Sequence, residues 1–282
     1  MNLGYCLKYA YDLLKSENID SYMLDVQLLM CKVLNKDKMF LIMNRDYKLT
    51  EKEKNEFFKL VELRKQRMPI KYILEQCEFM GIPFYVREGV LIPRPDTEIL
   101  VEWALNLIEK EKITKVCDLC CGSGAIGLTV AKNNEQCKVE LYDISRDALE
   151  VTEENIKRLQ LKNAQVKYSD LLERPIRETK KFELLLSNPP YIAKEEVNKL
   201  MKDVKDFEPF IALCGGEDGL DFYRKITKQS KLVLEKRAYI GFEIGYDQGE
   251  SVSKLLGEEG FNKIEVLKDF SGLDRVVIGQ NQ

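Results

Sequence analysis

The chain has 282 residues, 45% hydrophobic and 32% charged, which suits one large and one small domain, each with a core of its own. Its net charge of −3 argues against gripping nucleic acid through a broad basic face. Histidine is absent, which excludes His-based acid–base catalysis, His-activated nucleophiles and His-containing metal sites.

The start, Met1-Asn2-Leu3-Gly4-Tyr5, lacks a basic segment followed by an apolar block, so no signal peptide is read. No run of about eighteen apolar residues follows, so no membrane span is expected. The first seventy residues read as helices. Leu3, Leu7, Ala10 and Leu14 share one helical face, and Leu24, Leu28 and Val33 begin another after a cap expected at Asp20. Thr50 followed by Glu53 has capping-box spacing and opens a helix carrying Phe57, Leu60, Val61 and Arg64, which Pro69 is expected to end. No catalytic constellation is visible here, so a small helical bundle is expected. Up to Glu88 there are 15 basic and 13 acidic residues, near +2, while the remainder is near −5. That asymmetry is compatible with a module that meets a partner.

From Phe79 to Val90 aromatic and β-branched residues surround Gly81 and Pro83, which predicts a hairpin or short strands. After Ile113 short apolar runs alternate with amphipathic ones. Strands are expected at 115–119, 139–142, 165–168, 182–187, 238–244, 263–267 and 275–278, with helices at 125–133 and 148–159 among those between them. Such alternation predicts an α/β fold with a mainly parallel sheet covered on both faces.

Cys117 to Leu119 closes the first of these strands, and Cys120-Cys121-Gly122-Ser123-Gly124 is a glycine-containing turn that opens a helix. Small residues there let a ligand approach the backbone, and a helix N-terminus offers free N–H donors. Asp143 ends the next strand, where a carboxylate can accept both ribose hydroxyls of an adenosine. The run is not Gly-x-Gly-x-x-Gly, which disfavours a dinucleotide, and it lacks the Lys-Ser/Thr of a phosphate-binding loop. Asp118 just before the turn would repel a pyrophosphate, but it can help hold the cationic amino-acid end of S-adenosylmethionine, directly or through water. Cys117-x-x-Cys120 also has the spacing of a redox pair. No other redox signature accompanies it, and a four-cysteine zinc site would need distant ligands, so the eight cysteines are expected to be reduced thiols, mostly buried.

The apolar strand 182–187 runs into Asn188-Pro189-Pro190-Tyr191. Two prolines can simply end a strand. They also stiffen a loop, and the acceptors on it are those a planar –NH₂ requires: the Asn188 side-chain oxygen for one N–H and the Pro189 carbonyl for the other. Tyr191 can pack on the flat face of the substrate group. An amide nitrogen is a poor nucleophile, so acceptors that strengthen as its N–H acidity rises favour the transition state.

These residues resemble the release factor glutamine methyltransferases (the HemK family) within the class I methyltransferase fold, and the likeness covers nearly the whole chain. It is carried by Arg67 to Ile73, Leu91-Ile92-Pro93-Arg94-Pro95-Asp96-Thr97-Glu98, Asn188 to Ile192, Phe207-Glu208-Pro209 with Ala212-Leu213, Gly215-Gly216 through Asp218-Gly219-Leu220, and Asp274-Arg275-Val276. The resemblance implies a Rossmann-like mixed seven-stranded sheet with helices on both faces, a small N-terminal helical bundle and a linking β-hairpin. It implies a helical, release-factor-binding domain at 1–75, the hairpin linker at 76–90 and the S-adenosylmethionine-dependent domain at 91–282. It implies methyl transfer to the glutamine amide of the Gly-Gly-Gln motif in class 1 peptide chain release factors. Cofactor contacts are expected from Asp118, Cys120, Cys121, Gly122, Ser123, Gly124, Asp143, Asp170, Leu171 and Asn188. Substrate contacts are expected from Arg94 and Asn188 to Tyr191, and no metal. A cytoplasmic monomer with no direct DNA contact follows.

Two positions depart from the family pattern: Cys120 stands where the commoner motif has its first glycine, and Leu171 where some relatives carry an aromatic residue. Three rivals remain at this point. A DNA adenine methyltransferase can use the same four-residue pocket on a flipped base. A related enzyme methylates glutamine in a ribosomal protein. A nucleotide-binding interaction module keeps the sheet without the chemistry.

Overall fold

The computed structural model describes residues 1–282 and divides into two compact units. The first comprises Met1–Gln76 with Lys202–Phe207, and the second Cys77–Met201 with Glu208–Gln282. In the first, α1 (Leu3–Ser16) begins where the Asn2 side chain accepts the Tyr5 N–H, and it buries Leu3, Leu7, Ala10 and Leu14. The second helix, α2 (Tyr22–Leu34), starts after Ser21 rather than at the expected Asp20 cap. The Ser21 hydroxyl bonds Asp25, which is itself buried against Arg64. After the short α3 (Lys38–Met43), α4 (Glu51–Lys65) opens with the expected capping box, Thr50 and Glu53 each serving the other's backbone N–H. This helix stops four residues before Pro69, which instead introduces α5 (Ile70–Leu74).

The second unit opens with a hairpin, β1 (Cys77–Phe79) antiparallel to β2 (Ile82–Phe84). Phe79, Ile82 and Phe84 belong to this unit's apolar core, so the segment expected as a linker packs as part of it. A 3₁₀ turn, Pro95–Thr97, leads into α6 (Glu98–Glu111). Then β3 (Lys115–Leu119), α7 (Ala125–Asn133), β4 (Lys138–Asp143), α8 (Arg146–Leu159), β5 (Ala164–Tyr168), α9 (Glu173–Arg177) and β6 (Phe182–Ser187) alternate as the periodicity predicts. Short helices α10 (Lys194–Val197), α11 (Lys202–Lys205) and α12 (Phe210–Leu213) follow, of which α11 belongs to the first unit. The chain ends with α13 (Asp221–Val233), β7 (Leu234–Glu243), α14 (Gly249–Glu258), β8 (Phe261–Lys268) and β9 (Asp274–Asn281).

The sheet order is β5-β4-β3-β6-β7-β9-β8. The first five strands are parallel, and β9 runs antiparallel to both its neighbours, giving the mixed seven-stranded sheet. Leu184, Leu185 and Leu186 of β6 are fully buried, with Leu184 and Leu186 in one core cluster and Leu185 in the other. An uninterrupted apolar run is what a strand covered on both faces requires. The chain winds outward from β3 to β5 and then restarts on the other side of β3 at β6. A crevice at the carboxyl ends of the strands is expected at that reversal.

Candidate active site

The crevice is there. Leu119 and Cys120 at the end of β3, Tyr142 and Asp143 at the end of β4, Ser169 to Leu171 after β5 and Asn188 after β6 line one cavity. Its glycine turn has Gly122 at φ +55° and Gly124 at φ +82°, left-handed values that favour glycine. A Cβ on Gly124 would lie 2.8 Å from Leu128, so this glycine allows α7 to pack. A Cβ on Gly122 would meet only Val90 at 3.9 Å, so its backbone faces open space. Cys120 sits at φ +58°, a left-handed value that favours glycine over a residue with a Cβ.

Asp143 Oδ2 accepts the Gly122 N–H and Oδ1 the Ser145 N–H, both at 2.9 Å. Burial raises its pKa, and the backbone donors oppose that rise. Each oxygen keeps a further lone pair for ligand hydroxyls. Asn155, fully buried on α8, ties the wall together: its side chain bonds the Tyr85 N–H and carbonyl and also the Ser123 carbonyl. Burial also raises the thiol pKa values of Cys117, Cys120 and Cys121, and no cysteine of the chain is in a disulfide. A raised thiol pKa disfavours the thiolate that a redox pair needs, which weighs against the redox reading of Cys117-x-x-Cys120.

At the end of β6, Asn188 Nδ2 donates to Thr97 Oγ1 at 3.5 Å, a long bond. Its Oδ1 accepts from no protein group and is not a buried unpaired atom, so it is open to the cavity it lines. The Pro189 carbonyl accepts no backbone donor. The turn is clamped from outside. Gln248 Nε2 donates to the Tyr191 carbonyl at 3.0 Å, and a Cβ on Gly215 would sit 2.7 Å from the Pro190 oxygen. The Tyr191 ring packs on an apolar cluster, and its hydroxyl donates to Glu243 at 3.4 Å.

Residues 96–205 match the family model described as methyltransferase small domain, and residues 6–74 match the PrmC N-terminal domain. The chain is 51% identical to the release factor glutamine methyltransferase of Clostridium acetobutylicum over 99% of its own length and 98% of the relative's. It is 49% identical to that of Clostridium botulinum over 95% of each. The chain belongs to the release factor glutamine methyltransferase family. Among solved structures, the Thermus thermophilus 16S rRNA N2 G1207 methyltransferase in complex with AdoMet and guanosine is similar, with a TM-score of 0.53 at 18% identity. That match covers 73% of this chain and 50% of the other and supports the fold alone.

Within this methyltransferase the structure brings Cys120, Cys121, Gly122, Ser123, Asp143, Asp170, Leu171, Asn188, Pro190 and Arg94 to the cavity wall. Four expected residues lie off it. Gly124 serves helix packing, while Pro189 and Tyr191 stand outside the lining. Asp118 is fully buried behind the lining: Oδ2 accepts the Gly127 N–H at 2.7 Å and Oδ1 has no protein partner. Arg94 reaches both Glu208 oxygens at 2.7 Å, so its charge is engaged within the protein. Burial raises the Glu208 pKa, and Arg94 opposes the rise.

Sequence reasoning assigned no role to Thr97, Glu243 or Gln248. Thr97 lay inside the Leu91–Glu98 stretch, one of those that carry the family resemblance. Glu243 carried a signal too, as a carboxylate set inside the apolar run 238–244.

Proposed function

We infer that the enzyme transfers a methyl group from S-adenosylmethionine to the side-chain amide nitrogen (N5) of the glutamine in the Gly-Gly-Gln motif of class 1 peptide chain release factors. Family membership supports the target, and the open Asn188 Oδ1 on the cavity wall is the observation that carries the chemistry. The donor set fits the cofactor: an open glycine backbone at Gly122, Asp143 with lone pairs to spare, and the apolar Leu171 beside them. When bound, S-adenosylmethionine would supply an electrophilic methyl on a sulfonium, the methyl–sulfur bond breaking to leave a neutral thioether, while the amide nitrogen sheds one N–H proton to solvent as its N–C bond forms.

The protein's part is placement. Asn188 Oδ1 and the Pro189 carbonyl accept the two amide N–H bonds of the substrate and orient its nitrogen lone pair. As that nitrogen gains positive character its N–H bonds become more acidic, so the same two acceptors bind the transition state more strongly. The stiff prolines and the Gln248 clamp keep them in place without reorganisation. The helical unit, which exposes Tyr5, Tyr9, Met39, Ile42 and Met43, is the part we assign to holding the release factor. No helix is long and apolar enough to cross a membrane, and a cytoplasmic monomer is the form proposed.

Incubation with labelled S-adenosylmethionine and three acceptors side by side (a release factor, a ribosomal protein and DNA) should label the release factor at the Gln of Gly-Gly-Gln. Asn188→Ala should lower kcat by at least about 100-fold while leaving most cofactor affinity, as expected for losing an acceptor that strengthens in the transition state. Label in DNA or ribosomal protein alone would reassign the substrate.

A further inference from the structure

A single large apolar side chain left in water is ordinary, but a group of them at one end of a fold marks a surface that meets a partner. The second unit gathers such a group at the carboxyl ends of its parallel strands. Ile144 follows β4, Tyr246 lies just beyond β7, and Phe270 and Leu273 sit in the turn between β8 and β9, all of them exposed. That turn is at the same end because β9 runs antiparallel to β7, with Val276 opposite Glu243. Phe210 and Ile211 of α12 are exposed too, and Ile144 and Ile211 line the cavity itself. A glutamine side chain is short, so a protein that inserts its amide into the cavity must bring its own backbone against this rim.

Phe270 differs from the others in being fully exposed on a turn that is held from within. The Gly272 N–H donates to the Asp269 carbonyl at 2.9 Å, and the Ser271 and Leu273 N–H groups donate to Asp269 Oδ1 at 2.8 and 2.9 Å. Arg275 Nη2 donates to Asp269 Oδ2 at 2.9 Å and reaches Asp96 at 3.3 Å. Asp96 lies between Arg94 and Thr97, both on the cavity wall, so the turn is braced against the rim. None of these bonds needs an aromatic ring at 270: Asp269 and Gly272, at φ +82°, make the turn. A ring held in water gains the fold nothing.

We propose that the 269–273 turn is a docking contact for the release factor, with Phe270 as the anchor that fills an apolar recess of that protein beside its methyl-accepting loop. This rests on the reading of the cavity as the glutamine site, and it adds a contact in the second unit to the one assigned to the helical unit. A preformed turn loses little freedom on binding, and an aromatic ring buries a large area while fixing only two torsions. The turn does not line the cavity, so it acts by holding the substrate and not in the chemistry.

The test is steady-state methylation of a release factor by the full chain carrying Phe270→Ala, Phe270→Asp, Phe270→Leu or Leu232→Ala, with cofactor Kd, Tm and sedimentation measured on each. Leu232, exposed just ahead of β7 at the opposite end of the sheet, controls for loss of apolar surface as such. Phe270→Ala should raise KM for the release factor by about 10-fold and Phe270→Asp by more, with kcat and cofactor Kd within about threefold of the unaltered enzyme. Phe270→Leu keeps an apolar anchor and should stay within about threefold in KM, and Leu232→Ala should match the unaltered enzyme. An unaltered KM in Phe270→Asp overturns the proposal. So does an equal rise in Leu232→Ala, or a loss in Phe270→Ala that follows cofactor Kd or Tm instead of KM. Self-association that Phe270→Asp abolishes would give the patch to a second copy of the chain and overturn the proposal as well. If the unaltered enzyme leaves the release factor unlabelled, the substrate reading has failed and this partner with it. That result is read on the unaltered enzyme alone, so the two failures stay distinct.

Discussion

Asp118 carries a carboxyl in the middle of the sheet, and burial pushes its pKa up to about 8. The Gly127 N–H opposes that rise, and the nearby Asp143 adds to it. A folded-state value above the unfolded one, about 3.9, means the native protein binds this proton more tightly. The stabilisation is therefore fully present below about pH 4 and is lost as pH rises through about 8. Glu243, which burial moves to about 7, contributes with the same sign between its ordinary range and neutrality. Urea midpoints should thus fall from pH 5 to pH 8, and Asp118→Asn should flatten that slope. An unchanged slope in the variant would assign the effect to another group. The sequence placed Asp118 correctly at the end of a strand but suggested a ligand contact for it. Its actual partner is a backbone N–H on the following helix, which only the packing of Gly127 against it reveals: a Cβ there would lie 2.8 Å from Asp118.

The Asn188–Tyr191 turn, proposed as catalytic, is held as a unit by elements that come later in the chain. Gln248, just before α14, spans the Tyr191 and Gly219 carbonyls, and a Cβ on Gly215 would lie only 2.7 to 2.8 Å from the backbone of Pro190, Tyr191 and Gly219. The Gly215-Gly216…Gly219 stretch could be read from sequence as part of a family pattern, yet its purpose was not legible. Close backbone approach between segments 25 residues apart leaves no periodic trace. Gly215→Ala should force the turn outward, lowering stability by about 1–3 kcal/mol and kcat with it, since overpacking against backbone has no easy relief. Thermal melts and kcat for this variant check both parts. The alternating strands and helices were legible for the opposite reason: burial on both faces of a sheet writes itself into every few residues. All seven expected strands are found. Element ends shifted where capping was misplaced, as at Ser21 in place of Asp20.

At the scale of the whole chain, residues 202–207 belong to the first unit although 125 residues of the second precede them. The bond that secures them is ionic. Arg64 donates to Asp25 at 2.8 Å and to Asp203 at 2.7 Å, with its side chain only 6% exposed. Arg64 had been placed on the face of a helix with Phe57 and Val61, where a charge looks out of place. Its partner 139 residues away could not be guessed from spacing. Arg64→Met should lower the stability of the helical unit by about 3 kcal/mol or more, because it strands two carboxylates around a site built for a cation. Scanning calorimetry should show an earlier transition for this unit. An unshifted trace would mean that the triad is neutral for stability. In the second unit Asn155 has a different reach. One side chain bonds the strand end at Tyr85 and the cavity-lining glycine turn at Ser123. A fluctuation that opens either segment must break bonds shared with the other, so the two open together as one cooperative patch, and the cavity cannot loosen at its glycine turn without unpinning the edge beside it.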